Sequence, residues 1–182
     1  MSTYSKVSVM NKEDVEWEFE SRCRVAMNYS CFRYAFFFKL NIALCMLSMV
    51  SLWCSGYFAD GKCESASVAL NIVGSALLVF DVVLNLVGCC GFWKSMRDGY
   101  FEFFAEFQEI RFKASAEELR GLMSRFVKFD SRCDASFNAL GLIAWNDACI
   151  QMGKAEHVKH VPWYKRWTAN IFSWGSVSDN FG

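Results

Sequence analysis

Hydrophobic and polar positions are unevenly spread along this chain. From Leu40 to Ala59 the sequence LNIALCMLSMVSLWCSGYFA carries no charge, and Lys39 and Asp60 bound it. A helix of that length measures roughly 30 Å, the thickness of a bilayer's hydrocarbon core. A second apolar run, from Ser65 to Trp93, lies between Glu64 and Lys94 and is interrupted only by Asp81. The connection ADGKCESAS is short and polar, so the two runs predict a helical hairpin that turns outside the lipid. The first run lies behind about forty residues that include many charges, and a second run follows it, which is the wrong layout for a cleaved signal peptide.

Outside the apolar runs the period is helical. Asn11 can cap a helix with an acidic first turn, NKEDVEWEFE, running on through Arg33 toward the first span. Beyond the second span, Tyr100 to Phe112 reads YFEFFAEFQEIRF, with aromatic residues on one face and Glu102, Glu106 and Glu109 on another. Ser115 and Glu118 form a capping box, so a helix should start at Ala116. Leu119, Leu122, Phe126, Phe129, Cys133, Phe137, Leu140 and Ala144 trace an apolar stripe along a helix that could reach Met152, with Gly153 as its stop. Near its end, Asn138, Trp145, Asn146 and Asp147 offer a contact surface. In the tail, VPWYKRWTANIFSW, Pro162 suits the first turn of a helix with Trp163, Trp167, Ile171 and Trp174 on one side. Tryptophan beside Lys165 and Arg166 fits either the headgroup region of a membrane or a docking surface on the bundle or a partner.

The predicted fold class is therefore an all-α integral membrane protein, a two-helix transmembrane hairpin with a cytoplasmic helical bundle. Residues 1–39 form an N-terminal cytoplasmic helix. Residues 40–93 form the hairpin, with spans at about 40–59 and 68–90 and an external loop at 60–67. Residues 94–153 form a cytoplasmic helical region, and 154–182 a Trp-rich tail. A single proline and no Asn-Gly or Asp-Gly hairpin flanked by strands agree with an all-helical chain.

Charge sets the orientation. Lys6, Lys12, Arg22, Arg24, Arg33 and Lys39 precede the first span and Lys94 and Arg97 follow the second, whereas the loop holds only Lys62. Both termini are expected in the cytoplasm and the loop outside. The formal net charge is zero, so direct nucleic-acid binding is not expected. The nine cysteines contain no C-x-x-C, and most fall in the cytoplasmic or lipid segments, which does not suit a disulfide framework. The adjacent Cys89 and Cys90 suit small apolar packing better than acylation. His157 and His160 have no acid or cysteine cluster to complete a metal site, and no phosphate loop, nucleophile elbow or H-E-x-x-H occurs. No enzymatic activity, cofactor or metal is expected.

The chemistry-bearing positions are the polar residues inside the spans. On the first, Asn41, Cys45, Ser48 and Ser55 share one face, with Leu52 completing it; on the second, Asn71, Gly74, Ser75, Leu78, Asp81, Asn85 and Gly88 recur at helical spacing. Matching stripes of small and polar groups let helices approach and exchange hydrogen bonds that lipid cannot supply. An ionised carboxylate near the bilayer centre costs about 2.5–3.5 kcal/mol, and neither span holds a basic partner for Asp81. The stripes are either glue within or between hairpins, or the lining of a water-filled path between assembled hairpins. Both require self-association.

The basic segment ESRCRVAMNYSCFRYAFFFKLN, the two-span hairpin, the Arg125-x-x-x-x-Asp130 pattern and the closing AWNDACIQMG together resemble the SLATT-type two-transmembrane effectors of bacterial antiphage systems, in particular those encoded beside retrons. The similarity covers roughly residues 12–153 and is one of architecture, since such families have no catalytic signature. It implies an abortive-infection effector of the bacterial inner membrane that oligomerises and depolarises that membrane when a cytoplasmic partner releases or activates it. That regulatory partner is expected to be a reverse transcriptase with its nucleic acid or a nucleotide-signal system. The alternatives are a structural, adaptor or superinfection-exclusion membrane protein and, against the weight of its large soluble flanks, a multimeric transporter coupled through Asp81.

Overall fold

A computed structural model describes residues 11–59, 64–133 and 138–171. The described residues are all helical, with no strand among them: α1 (Lys12–Ala59), α2 (Glu64–Leu84), α3 (Leu86–Ile110), α4 (Ala116–Asp130), α5 (Asn138–Gln151) and α6 (Trp163–Thr168), with a 3₁₀ turn at Ala155–His157. The chain divides into two compact units, one containing residues 33–94 and the other the remainder.

The expected N-terminal helix and first span are one element. No Gly or Pro interrupts the chain between Asn11 and Gly56, so nothing stops the helix where charge gives way to apolar residues. Its start is fixed by Asn11, whose carbonyl accepts from the Asp14 and Val15 amides and whose side chain accepts from Lys12 N at 2.7 Å. Pairs four residues apart, Glu18 with Arg22 and Glu20 with Arg24, support the charged stretch.

The second apolar run, by contrast, does not form one straight helix. It breaks at Asn85, which has φ 47° and separates α2 from α3. Asparagine is among the few residues that enter this left-handed region readily. Gly88 completes the arrangement, because a Cβ there would lie 2.4 Å from the Asn85 amide nitrogen. The Cys89 thiol lies 3.8 Å from the Leu84 carbonyl at the end of α2, partnering a backbone group that the break loosens. α3 continues past the apolar run, so the aromatic stretch from Tyr100 as far as Ile110 belongs to it.

In the unit containing residues 33–94, two helices are long and apolar enough to cross a membrane. Only 17% and 11% of the residues in their most apolar windows are buried within the chain, which does not describe the core helices of a soluble protein. Met46, Met49, Trp53, Val79, Val82, Val83 and Val87 are exposed, while Ser48, Ser51, Ser55, Ser67 and Gly74 are buried. Near its charged end, the Arg33 guanidinium lies 4.7 Å from the Phe37 ring centroid and 5.4 Å from that of Trp93.

The other unit buries apolar residues. Phe19 of α1 packs on Phe107 of α3 at 4.8 Å between ring centroids and edge-on against Phe126 of α4 at 5.6 Å, and Tyr100 and Phe103 extend the cluster to Phe129. Gly99 admits the Phe129 ring, since a Cβ there would lie 2.3 Å from its Cζ. The capping box forms as expected: Ser115 Oγ accepts from Glu118 N and Glu118 Oε2 accepts from Ser115 N. The bond from the Ser115 backbone, and then one that the Ser115 hydroxyl donates to the same Oε2 at 3.0 Å, hold the exposed Glu118 carboxyl below its usual range.

The apolar stripe beginning at Leu119 does not lie on a single helix reaching Met152. α4 ends at Asp130, where the Ser131 amide closes back on Val127 and its hydroxyl donates to the Lys128 carbonyl. Ser131, Arg132 and Cys133 turn, and α5 resumes the stripe with Leu140, Ala144 and Ala148. Serine so placed competes with the helical ladder for backbone groups. Phe137 of the stripe lies outside the described residues. Gly153 does end α5: at φ 71° it lets Lys154 N reach Cys149 O at 2.8 Å and its own amide reach Ile150 O at 3.0 Å, a Schellman closure.

Candidate functional site

The polar positions of the hairpin unit sort into two groups. The first lies in the seam between α1 and α2. Asn41 Nδ2 donates to Asp81 at 3.1 Å from Oδ1 and 3.4 Å from Oδ2, so the acid's partner is an amide of its own chain. Farther along, Ser51 Oγ donates to the Leu70 carbonyl at 2.7 Å. Ser55 and Ser67 are reciprocal, each hydroxyl donating to the other's carbonyl at 2.9 Å. Ser48 is fully buried and donates to the Cys45 carbonyl one turn back, while Cys45 itself is half-buried.

Gly74 is what brings the helices together here. A Cβ at that position would meet Leu52 Cγ at 3.0 Å and the Ser48 carbonyl at 3.3 Å. Close approach at a glycine, flanked by hydroxyls that satisfy carbonyls across the seam, is the packing used where lipid supplies no hydrophobic drive between helices.

The second group faces outward. Asn71 and Ser75 are exposed, and so is Asn85 at the break, whose side chain lies against Gly88. The second-span stripe read from the sequence is thus split: Gly74 and Asp81 close the hairpin, whereas Asn71, Ser75 and Leu78 stand on the exterior beside it. Two seam residues escaped the sequence reading. Ser51 was legible from its spacing to Ser48 and Ser55, and Ser67 was hidden by its assignment to the loop. Helix α2 begins at Glu64, so residues 64–67 form its first turn.

In the other unit, Trp145 and Asn146 hold the chain's own tail. Asn146 donates to the Lys159 carbonyl at 2.6 Å and accepts from Lys159 N at 2.8 Å, and Trp145 Nε1 donates to the His157 carbonyl at 3.2 Å. Ala169, just beyond α6, is fully buried against Ala139 and Leu140, with Tyr29, Phe32 and Ile143 around it. Trp163 and Trp167 remain 76% and 83% exposed. Trp174 lies outside the described residues.

The Arg125 to Asp130 pattern resolves into two separate structural contacts. Arg125 pairs with Glu106, and Asp130 accepts from the Tyr100 hydroxyl at 2.6 Å. Burial, and then this bond, push the Tyr100 phenol up. Burial likewise pushes the Cys23 thiol up to about 12, and its Sγ lies 3.5 Å from the Tyr100 carbonyl. Such a thiol packs as a small apolar group and is a poor nucleophile. Among the described residues no three His, Cys, Asp or Glu side chains converge as metal ligands.

No family model, curated protein or solved structure matches this chain. What fold and seam define is an all-helical protein with two helices long and apolar enough to cross a membrane, closed on each other by polar groups.

Proposed function

We propose that the protein is an integral membrane protein that crosses the bilayer as a hairpin with both ends in the cytoplasm, self-associates through its outward polar row, and in the assembled state compromises the membrane. The observation that carries this reading is the pair Asn71 and Ser75, exposed on an otherwise apolar exterior. In hydrocarbon these groups need hydrogen-bond partners, and the seam of their own hairpin is already occupied. A second hairpin supplies them. The resemblance to two-transmembrane antiphage effectors extends the proposal: the membrane damage is an abortive-infection response, held in check by a cytoplasmic partner.

The internal closure of the seam favours a second reading. Because Asp81 finds Asn41 within the same chain, the hairpin needs no neighbour to shelter the acid, which suits a structural or adaptor subunit. Expression of the chain alone in bacteria, with membrane potential and growth followed over time, separates the two. The effector depolarises the inner membrane, and Asn71→Leu with Ser75→Leu abolishes this without preventing insertion. Retained potential and growth on expression of the intact chain would leave the adaptor.

A further inference from the structure

The geometry points to the α6 segment as a second membrane contact: a bilayer-surface anchor that places Trp163 and Trp167 among anionic headgroups. This rests on the reading of the two apolar runs as spans only in taking the bilayer it touches to be the one they cross.

Two observations carry it. The segment is fastened at both ends, by the Asn146 clamp on Lys159 and by Ala169 buried on α5, so the exposure of its tryptophans is built into a packed arrangement. A helix docked only for stability would turn its largest apolar side chains inward. Here the methyl of Ala169 goes in, and Trp163, Trp167 and Ile171 stay out. Charge is the second observation. The chain as a whole is balanced, with 19 basic and 19 acidic residues, yet residues 154–171 hold Lys154, Lys159, Lys165 and Arg166 against the single acid Glu156. Exposed indoles beside a basic excess fit an anionic lipid interface, where the ring sits at headgroup depth and each cation adds attraction.

The test uses the full chain reconstituted in phosphatidylcholine vesicles with and without phosphatidylglycerol. Lipids brominated near the headgroup quench tryptophans at shallow depth, and lipids brominated near the chain ends quench deep ones. The quenching due to Trp163 and Trp167 is read as the difference from a Trp163→Phe/Trp167→Phe variant, and that of Trp53 from Trp53→Phe. Shallow quenching of the Trp163/Trp167 component in anionic vesicles, lost on Lys165→Glu with Arg166→Glu, is the expected result, whatever Trp53 does. If that component is quenched by aqueous iodide instead, and not by either lipid, the anchor is wrong and a protein partner becomes the better occupant. Trp53 reports independently on the spans: without deep quenching of Trp53 the span reading fails, with or without the anchor.

Discussion

The two units of this chain solve burial in opposite ways. In residues 33–94 the buried positions include Ser48, Ser51, Ser55, Ser67 and Gly74 beside Leu44, Leu86 and Trp93, while Met46, Met49, Trp53, Val79, Val82 and Val83 are exposed. In the remainder the buried positions are Phe19, Phe107, Leu119, Leu122, Phe126 and Leu140, and charged residues such as Arg22, Lys113 and Arg125 lie on the outside. The contrast is what the proposed placement of residues 33–94 in a bilayer requires. Water rewards hiding phenylalanine, by about 1.5–3 kcal/mol for each side chain fully buried. Hydrocarbon offers nothing for hiding valine and penalises every unsatisfied hydroxyl or carbonyl, so there the polar groups turn inward.

The largest effect should come from the aromatic core. Phe19→Ala removes a fully buried ring that touches both Phe107 and Phe126, and a loss of roughly 3–5 kcal/mol is expected. Limited proteolysis against temperature in mild detergent would register it as early cleavage within residues 95–171. Val82→Ala, at a side chain 77% exposed on the hairpin, should leave that curve unmoved. Equal sensitivity at both positions would erase the distinction between the units.

A smaller effect distinguishes them by pH. The folded state holds Cys23 at about 12 against an ordinary 9.0, so above pH 9 the unfolded chain gives up a proton that the folded chain keeps. Stability contributed by the neutral buried thiol is complete below pH 9 and falls as pH rises toward 12, with a slope of at most about 1.4 kcal/mol per pH unit. Cys23→Ala should flatten that part of the alkaline unfolding profile, measured by urea denaturation at a series of pH values. An unchanged slope in the variant would show that Cys23 is not shielded from solvent in the folded protein.

Much of this organisation was legible in the residues. One charge-free run, a second interrupted only by Asp81, a capping box at Ser115 and a glycine at 153 correspond to two apolar helices, a helix start and a helix stop. What escaped has physical causes. Asn85 and Gly88 read as members of one polar stripe, because a left-handed residue leaves no mark on periodicity; only the pairing of an asparagine with a glycine three positions on hints at it. The interruption after Asp130 was masked by an apolar stripe that keeps its phase across the turn. Trp145 and Asn146 were visible as polar and aromatic positions near a helix end, but that their partners are the backbone of residues 157 and 159 depends on how the tail folds back. Within the hairpin, face membership was read more broadly than it is: Gly74 and Asp81 point into the seam, and Asn71 and Ser75, each only a few positions away, do not.

The smallest expected effect sharpens the comparison most, because it concerns the one acid inside the two apolar runs. Asn41 donates to both oxygens of Asp81, so the pair should be coupled energetically as hydrogen-bonded side chains between membrane helices are, by about 0.6 kcal/mol and rarely above 1.7. A double-mutant cycle on Asn41→Ala and Asp81→Ala, read by reversible unfolding in mixed micelles, isolates that coupling. Asp81→Asn should preserve most of it, since an amide oxygen still accepts from Asn41 Nδ2, whereas Asp81→Leu should abolish it. Should the cycle give no coupling, the acid does not close the hairpin and belongs with Asn71 and Ser75 among the groups that seek a neighbour. If coupling is present and Asp81→Asn retains it but loses membrane depolarisation, the carboxylate's charge acts in the assembled state beyond its place in the seam. Should Asp81→Asn keep both, the acid serves the seam as a hydrogen-bond acceptor, and the outward row alone distinguishes one hairpin from many.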